Sequence, residues 1–486
     1  MSYIIYASGC NQRFYEYDSF VCVCNENGCD EFAPVVYPSR GVYKVITSSR
    51  DEFRFEETTS NFSDVSGGSV KIFVNTSDTL QTMLGFGGAF TDSTGIGVTK
   101  LSSALQEEFA KQYFSTNGIE YNLGRVPIGG SDFSTHPYSY DDFEGDVELT
   151  NFSLTFEDFD YKIPLMKAAD DLSEKEFLFL ATPWAPPSWM KTNGMFNGSG
   201  KLIPEMQQPW ANYFVKFFDS YKQEGINFHS FTVQNEPFAG TTDYGWNCCH
   251  FNAEDEKVFV RDYLGPTLQA SGYDGLKLII GDASHEDCST FVDGIAVHWY
   301  EDKEVPASVL TLTHNDFPDK FLLYTESCNG TADSGNHVHL GSWARGENYA
   351  EDIIEVFGGL ESSSGSRWRT ELVQNNVDAP VIVNETANEF YKQPMFYALG
   401  HFSKFIPEGT VHVGSSITLV ESIGNPVGGI DASSFVRSDG YIITVVLNTN
   451  TEATTVLLED DLGNQIQHDL PPKSIQTFIY TNEVQK

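Results

Sequence analysis

Aromatic residues carry the clearest periodicity in the chain. Trp210, Tyr213, Phe214, Phe217, Phe218 and Tyr221 recur at i, i+3, i+4, i+7, i+8 and i+11, the spacing that brings side chains to one face of an α-helix. That helix leads into Phe231-Thr232-Val233, a strand-forming run that ends at Asn235-Glu236-Pro237. Lys320–Ser327 follows the same plan, with the apolar run Phe321-Leu322-Leu323-Tyr324 ending at Glu326. Further strands are predicted at Ile119–Pro127, Phe177–Thr182, Leu276–Ile280 and Gly294–His298. They alternate with helical segments, which implies a parallel sheet covered by helices. From Gln81 onward this α/β rhythm fits a (β/α)8 TIM barrel.

The two ends of the chain read differently. Pro34–Val74 holds short alternating segments such as Val42–Ile46 and Val70–Val74, separated by Ser, Gly and Asp turns. After an aromatic helix expected over about Phe390–Phe405, strands return at Ser416–Val420, Tyr441–Leu447 and Ile475–Tyr480. The simplest assembly packs both sets into one antiparallel β-sandwich, residues 34–78 with 410–486, and inserts the barrel, residues 79–409, between its halves. Residues 1–33 form a separate disulfide-bonded N-terminal β segment in this scheme.

Composition narrows the function classes. The 486 residues include 68 acidic and 29 basic side chains, a net charge of −39, which opposes the clustered Lys and Arg that nucleic acid needs. No stretch approaches the ~18 consecutive apolar residues of a membrane span. Cys10, Cys22, Cys24 and Cys29 crowd the first thirty residues, while Cys248, Cys249, Cys288 and Cys328 are scattered. The first group reads as a disulfide framework with three pairings open. Zinc is the competing reading, but the segment has no histidine and no paired Cys-x-x-Cys knuckles, so no metal is expected. Acceptor sequences for N-glycosylation at Asn61, Asn75, Asn151, Asn197, Asn329 and Asn384 agree with a secretory route. Met1–Ala7 has neither a basic start nor an apolar run long enough for a signal peptide.

The candidate chemistry gathers at strand ends. In a barrel these converge on one face, so Arg125, Asp132, Trp184, Asn235, Glu236, His298, Tyr300 and Glu326 are expected to meet there. Two carboxyls, several hydrogen-bonding groups and an aromatic floor make a sugar pocket's inventory, and glycoside hydrolysis needs a carboxyl pair. Blander readings stay open at this point. Arg125 also fits a counter-ion for a buried carboxylate, His298 a satisfied core histidine, and Trp184 plain packing. Asp92, within a Gly-rich stretch that lacks a phosphate-loop Lys-Ser/Thr, reads as structural.

Several stretches together are more specific. Gly85-Phe86-Gly87-Gly88-Ala89-Phe90-Thr91-Asp92, the segment from Trp184 to Asn193 that ends Pro-Ser-Trp-Met-Lys-Thr-Asn, Asn235-Glu236-Pro237, Gly294–Tyr300 and Tyr391–Gly409 resemble the lysosomal glucosylceramidase family, acid β-glucosidases acting on glucosylceramide. The likeness extends over nearly the whole chain. It implies a retaining hydrolase with Glu236 as acid/base and Glu326 as nucleophile, with Asn235 on the hydroxyl beside the reacting carbon. By the same resemblance Arg125, Asp132 and Trp184 complete the glucose pocket, and Cys10 pairs with Cys22 and Cys24 with Cys29. It further implies no cofactor, a lysosomal or secreted location, an anionic lipid membrane surface and a saposin-type activator as partner.

The chain departs from the family in two places. Only about a dozen residues separate the strands near Ile280 and Gly294, close to the minimum for a crossover. Leu360–Arg369, with Trp368, stands where the family has a Trp-x-x-Trp-Asn strand. Two alternatives therefore accompany the main reading: a catalytically impaired glycolipid-binding paralogue, and a retaining β-glycosidase acting on soluble glycosides.

Overall fold

The computed structural model describes residues 9–62, 68–241, 244–281, 290–302, 305–330, 337–358, 377–419 and 428–482. Its centre is a parallel sheet in the order Phe321–Glu326, Gly294–His298, Lys277–Ile280, Ser230–Thr232, Leu178–Pro183, Leu123–Ile128 and Gly87–Ala89. Every neighbouring pair in it is parallel. Lys277–Ile280 and Gly294–His298 are adjacent in it, with Ile279 paired to Gly294 and Ile280 to Ile295, while residues 282–289 of the connection between them lie outside the described residues. Leu360–Arg369, including Trp368, and Cys288 lie outside the described residues, as do Met1–Ala7.

The aromatic helix spans Gln207–Gln223, and its predicted face is buried in full: Trp210, Tyr213, Phe214, Phe217, Phe218 and Tyr221 are at most 3% exposed. Phe214 and Phe218 both pack on Phe231, so the stripe seals the helix onto the strand that leads to Glu236. Each such aromatic residue removes roughly 150–250 Å² from water, which makes this seam a main source of barrel stability.

Two predicted elements differ from the structure. The strand expected over Ile119–Pro127 begins only at Leu123, because the amides of Ile119 and Tyr121 bond back to Gln112 and Tyr113 and cap the preceding helix. The helix expected from Phe390 begins at Pro394, which occupies the first turn where its missing N–H costs nothing. Glu389–Lys392 is a strand instead. It pairs on one side with Val381–Asn384 and on the other with Phe20–Cys24, so the N-terminal segment belongs to a four-stranded sheet shared with residues 381–392. The disulfides there are Cys10–Cys22 and Cys24–Cys29, while Cys248, Cys249 and Cys328 are not disulfide-bonded.

Strands from both chain ends form one nine-stranded sheet that curls into the sandwich. Val70–Thr82 runs beside Val411–Leu419, and Val42–Ser49 beside Ser474–Thr481. Tyr441–Asn448 is buried at every position, and the two faces explain this. Ile442 and Val446 join the enclosed core with Ile72, Leu458 and Phe478, whereas Ile443, Val445 and Leu447 face Trp343 and Phe402 on the helices beside the barrel. A strand covered on both sides loses polar alternation, which is why its sequence reads as a continuous apolar run. Of the six glycosylation sequences, Asn61 and Asn151 are exposed, but Asn329 is buried and its side-chain amide donates to the Arg345 carbonyl.

Candidate active site

The predicted residues meet at the C-terminal ends of the parallel strands. Arg125 projects from Leu123–Ile128, and its three donor nitrogens reach two other strands and the segment just after a third. Nη1 donates to Glu326 Oε2 at 2.6 Å, Nη2 to Asn235 Oδ1 at 2.7 Å and Nε to Thr182 Oγ1 at 3.3 Å. The guanidinium carbon lies 4.8 Å from the centre of the Trp184 ring, so that buried indole forms a cation–π floor under the arginine. Trp184 thus combines packing with a place in the site.

Glu326 is held by donors from two sides, since the Tyr300 hydroxyl donates to its Oε1 at 2.9 Å. Burial by itself would raise the pKa of this carboxyl. The Arg125 charge, then His298, and hydrogen bonds from Arg125 and Tyr300 outweigh burial and set it below the ordinary glutamate value. Although Tyr300 is 38% exposed as a residue, its hydroxyl points inward. Burial first, and then Cys328 and Glu326, push that phenol well above the usual tyrosine range, so it stays a donor.

Glu236 occupies the opposite wall. His298 Nδ1 lies 3.2 Å from its Oε1, and the carboxyl is one-third exposed, at 33%. Its backbone is unusual: φ is +42°, in the left-handed region, and a proline follows. Side-chain residues rarely adopt this conformation, and a following proline restricts it further, at a cost of about 1–3 kcal/mol. Neighbouring bonds hold it in place. The Asn235 amide donates to the Pro183 carbonyl at 2.8 Å, and Gln234 Nε2 donates to the carbonyls of Trp184 and Asn235. One oxygen each of Glu236 and Glu326 and a ring nitrogen of His298 lie within 4.8 Å of one another.

Asp132 is half-buried on the loop after Leu123–Ile128, on the side of the site that holds Cys328. Cys328 has its thiol pushed up by burial, then by Glu326 and Asp132. Sequence reasoning assigned no role to Thr182, Gln234 or Cys328. The available signals were modest: Gln234 adjoins Asn235-Glu236, and Cys328 stands two residues beyond Glu326, the spacing that returns a side chain to the same face of a strand.

Among the described residues two groups could offer three metal ligands. In one, Cys24 and Cys29 are already joined by a disulfide. In the other, Glu236 with His298 and Glu326, the arginine bound to Glu326 supplies the positive charge that a cation would bring. The arrangement suits acid–base and nucleophilic work by paired carboxyls.

Comparison with known proteins agrees with this geometry. Residues 83–406 match the glycosyl hydrolase family 30 TIM-barrel domain, and residues 409–478 match the family 30 beta sandwich domain. The chain belongs to glycosyl hydrolase family 30. Within that family it is 38% identical over 508 residues to the lysosomal acid glucosylceramidase of Mus musculus, covering 98% of this chain and 96% of the relative. It is also 38% identical to putative glucosylceramidase 4 of Caenorhabditis elegans, covering 97% of this chain and 95% of the relative. The solved structure of SrfJ from Salmonella typhimurium superposes with a TM-score of 0.78 at 28% identity, covering 91% of this chain and 100% of that one.

As a family 30 glycoside hydrolase, the chain should show a pH dependence that reports the Arg125–Glu326 pair. Removing the guanidinium takes away the main influence that favours the ionised Glu326 carboxylate. Arg125→Met should therefore move the acid limb of kcat/KM for a fluorogenic β-glucoside to higher pH. An acid limb that stays in place in folded variant protein would contradict this electrostatic assignment.

Proposed function

We propose that this hydrolase is a retaining β-glucosidase that cleaves glucosylceramide to glucose and ceramide. The approach of Glu236 and Glu326, with carboxylate oxygens within 4.8 Å, carries this reading. Retaining glycosidases place their carboxyls about 5–5.5 Å apart, whereas inverting enzymes leave about 6.5–9.5 Å for a water molecule.

The surroundings distribute the roles. Glu326, kept ionised by Arg125 and Tyr300, attacks the anomeric carbon and forms a glycosyl ester. Glu236, across the cleft beside His298, gives its proton to the departing ceramide oxygen. Ester formation neutralises Glu326, so Glu236 then serves as base and activates the water that releases glucose. Asn235, fixed by Arg125, binds the hydroxyl beside the reacting carbon, while Asp132, Trp184, His298 and Tyr300 line the sugar pocket.

Glucosylceramide as substrate rests on the similarity to the mouse and nematode glucosylceramidases. Peripheral contact with an anionic membrane is supported by exposed apolar side chains on adjoining loops, Met195 at 52% and Phe238 at 54% exposure. Those loops are joined where the His250 amide donates to the Gly200 carbonyl. With a net charge of −39, attachment relies on such apolar side chains rather than on overall attraction. No helix among the described residues is long and apolar enough to cross a membrane. A lysosomal setting, N-glycosylation and a saposin-type activator complete the proposal, as does a catalytic unit formed by residues 79–409 inserted in the sandwich.

Two tests address it. Glu236→Gln should slow hydrolysis of a glucoside with a poor leaving group by about 10²–10⁴-fold, and much less when the leaving group needs no proton. Equal losses with both leaving groups would remove Glu236 as the acid. Separately, NMR during hydrolysis of glucosylceramide in anionic vesicles should show β-glucose released first. Initial α-glucose would rule out retention, turnover of soluble glucosides alone would favour the soluble-glycoside enzyme, and no turnover of either would favour a binding protein.

A further inference from the structure

Asp92 ends the Gly-rich stretch Gly85–Asp92 and is 2% exposed, yet it stands outside the catalytic group described above. It opens the helix Asp92–Thr99, whose N-cap is supplied by the neighbouring Thr91. Its carboxylate is directed to another segment. Oδ2 accepts from the Ser134 hydroxyl at 2.6 Å and the Tyr138 hydroxyl at 3.1 Å. The next residue, Ser93, donates its amide to the Phe133 carbonyl at 3.0 Å.

These bonds bracket Asp132. The turn that carries it is closed around the Ser134 hydroxyl, which accepts from the Ser131 amide at 3.0 Å, while the Ser131 hydroxyl accepts from the Phe133 amide at 3.1 Å. Asp92 therefore grips the atom around which the Asp132 turn is wound. A charged acceptor makes this bond about twice as strong as one between neutral groups.

Asp92 is anchored from behind by a buried cation. Lys162 Nζ lies 3.9 Å from Asp92 and 2.7 Å from Asp158, and it donates to the hydroxyls of Tyr138 and Tyr140 at 3.2 Å each. Asp158 also accepts from Tyr221 on the aromatic helix at 2.6 Å. The network thus runs from the packed helix, through Lys162 and Asp92, to the Asp132 turn. Asp158 is the closer partner of Lys162, so the short bond of Asp92 is the one to Ser134.

We propose that Asp92 is a positioning residue for sugar recognition: through Ser134 and Tyr138 it fixes the turn that presents Asp132 to one hydroxyl of the glucosyl group. This rests on the reading of Asp132 as a sugar ligand. A site built to hydrogen-bond a hydroxyl discriminates strongly against an analogue without it, and that discrimination depends on placement.

The test is kcat/KM for a β-glucoside and its four monodeoxy analogues, with thermal unfolding followed in parallel. Asp132→Ala should lose about tenfold or more of the preference over one deoxy analogue. Asp92→Asn, which keeps shape and leaves Lys162 paired with Asp158, should lose preference at the same hydroxyl, and the double variant should add less than about twofold to Asp132→Ala. Ser134→Ala should affect the same hydroxyl, which covers the case in which Asp92→Asn does not fold. An Asp92→Asn enzyme with lowered stability but all four preferences intact would overturn the positioning role, as would a change at a different hydroxyl. If Asp132→Ala itself leaves every preference unchanged, the assignment of Asp132 fails and the inference with it; the single variant tells the two failures apart.

Discussion

The site depends on one guanidinium and on the curl of the parallel sheet that gathers strand ends around it. Arg125 stands on one strand and donates to groups at or just beyond the ends of three others, Thr182, Asn235 and Glu326. The guanidinium is a rigid planar fork, so its donors are satisfied only when those strand ends hold fixed relative heights. A buried charge left without partners is strongly destabilising, which ties the energetics of the barrel to the geometry of the chemistry. The same group makes the two glutamates unequal. Glu326 receives the arginine and the Tyr300 hydroxyl, and Glu236 faces His298. Two identical side chains thus sit in different electrostatic surroundings, as the division of roles proposed for them requires.

Glu236 is placed by backbone as much as by side-chain bonds. A left-handed conformation before Pro237 is unfavourable in a free chain, and the fold maintains it through Asn235 and Gln234 on one side and through Pro237 on the other. The Pro237 carbonyl accepts from the Phe251 amide and lies 3.0 Å from His250 Nδ1, so the loop carrying Phe238 begins from an anchored point. The Glu236 carboxyl is thereby oriented without an arginine of its own, and it stays one-third exposed, at 33%. The wall opposite is built from different material. There the buried charges of Asp92, Lys162 and Asp158 hold a turn from behind.

Much of this was legible in the sequence because periodicity reports burial. The aromatic stripe of Gln207–Gln223 translates directly into the buried side of a helix, and the apolar run before Glu236 into the fully buried strand Ser230–Thr232, whereas the run before Glu326 forms a strand that is only half-buried. What escaped was set by tertiary partners. Ile119–Asn122 has strand-like composition, but its amides cap a helix, and Phe390–Lys392 has helix-like neighbours but pairs with the disulfide-bonded Phe20–Cys24 strand. The site divides in the same way. Residues at strand ends could be listed from position alone, whereas the cation–π place of Trp184 and the braces from Gln234 and Asp92 arise between segments distant in sequence. A local pattern carries no record of such pairings.

In the proposed mechanism Glu326 is the nucleophile of a double displacement. The most direct test is mass spectrometry of enzyme treated with 2-deoxy-2-fluoro-β-glucosyl fluoride, which slows hydrolysis of the glycosyl ester more than its formation. The expected result is one fluoroglucosyl group per chain, on the peptide that contains Glu326. A label on Glu236, or turnover of the reagent with no covalent intermediate on Glu326, would contradict it.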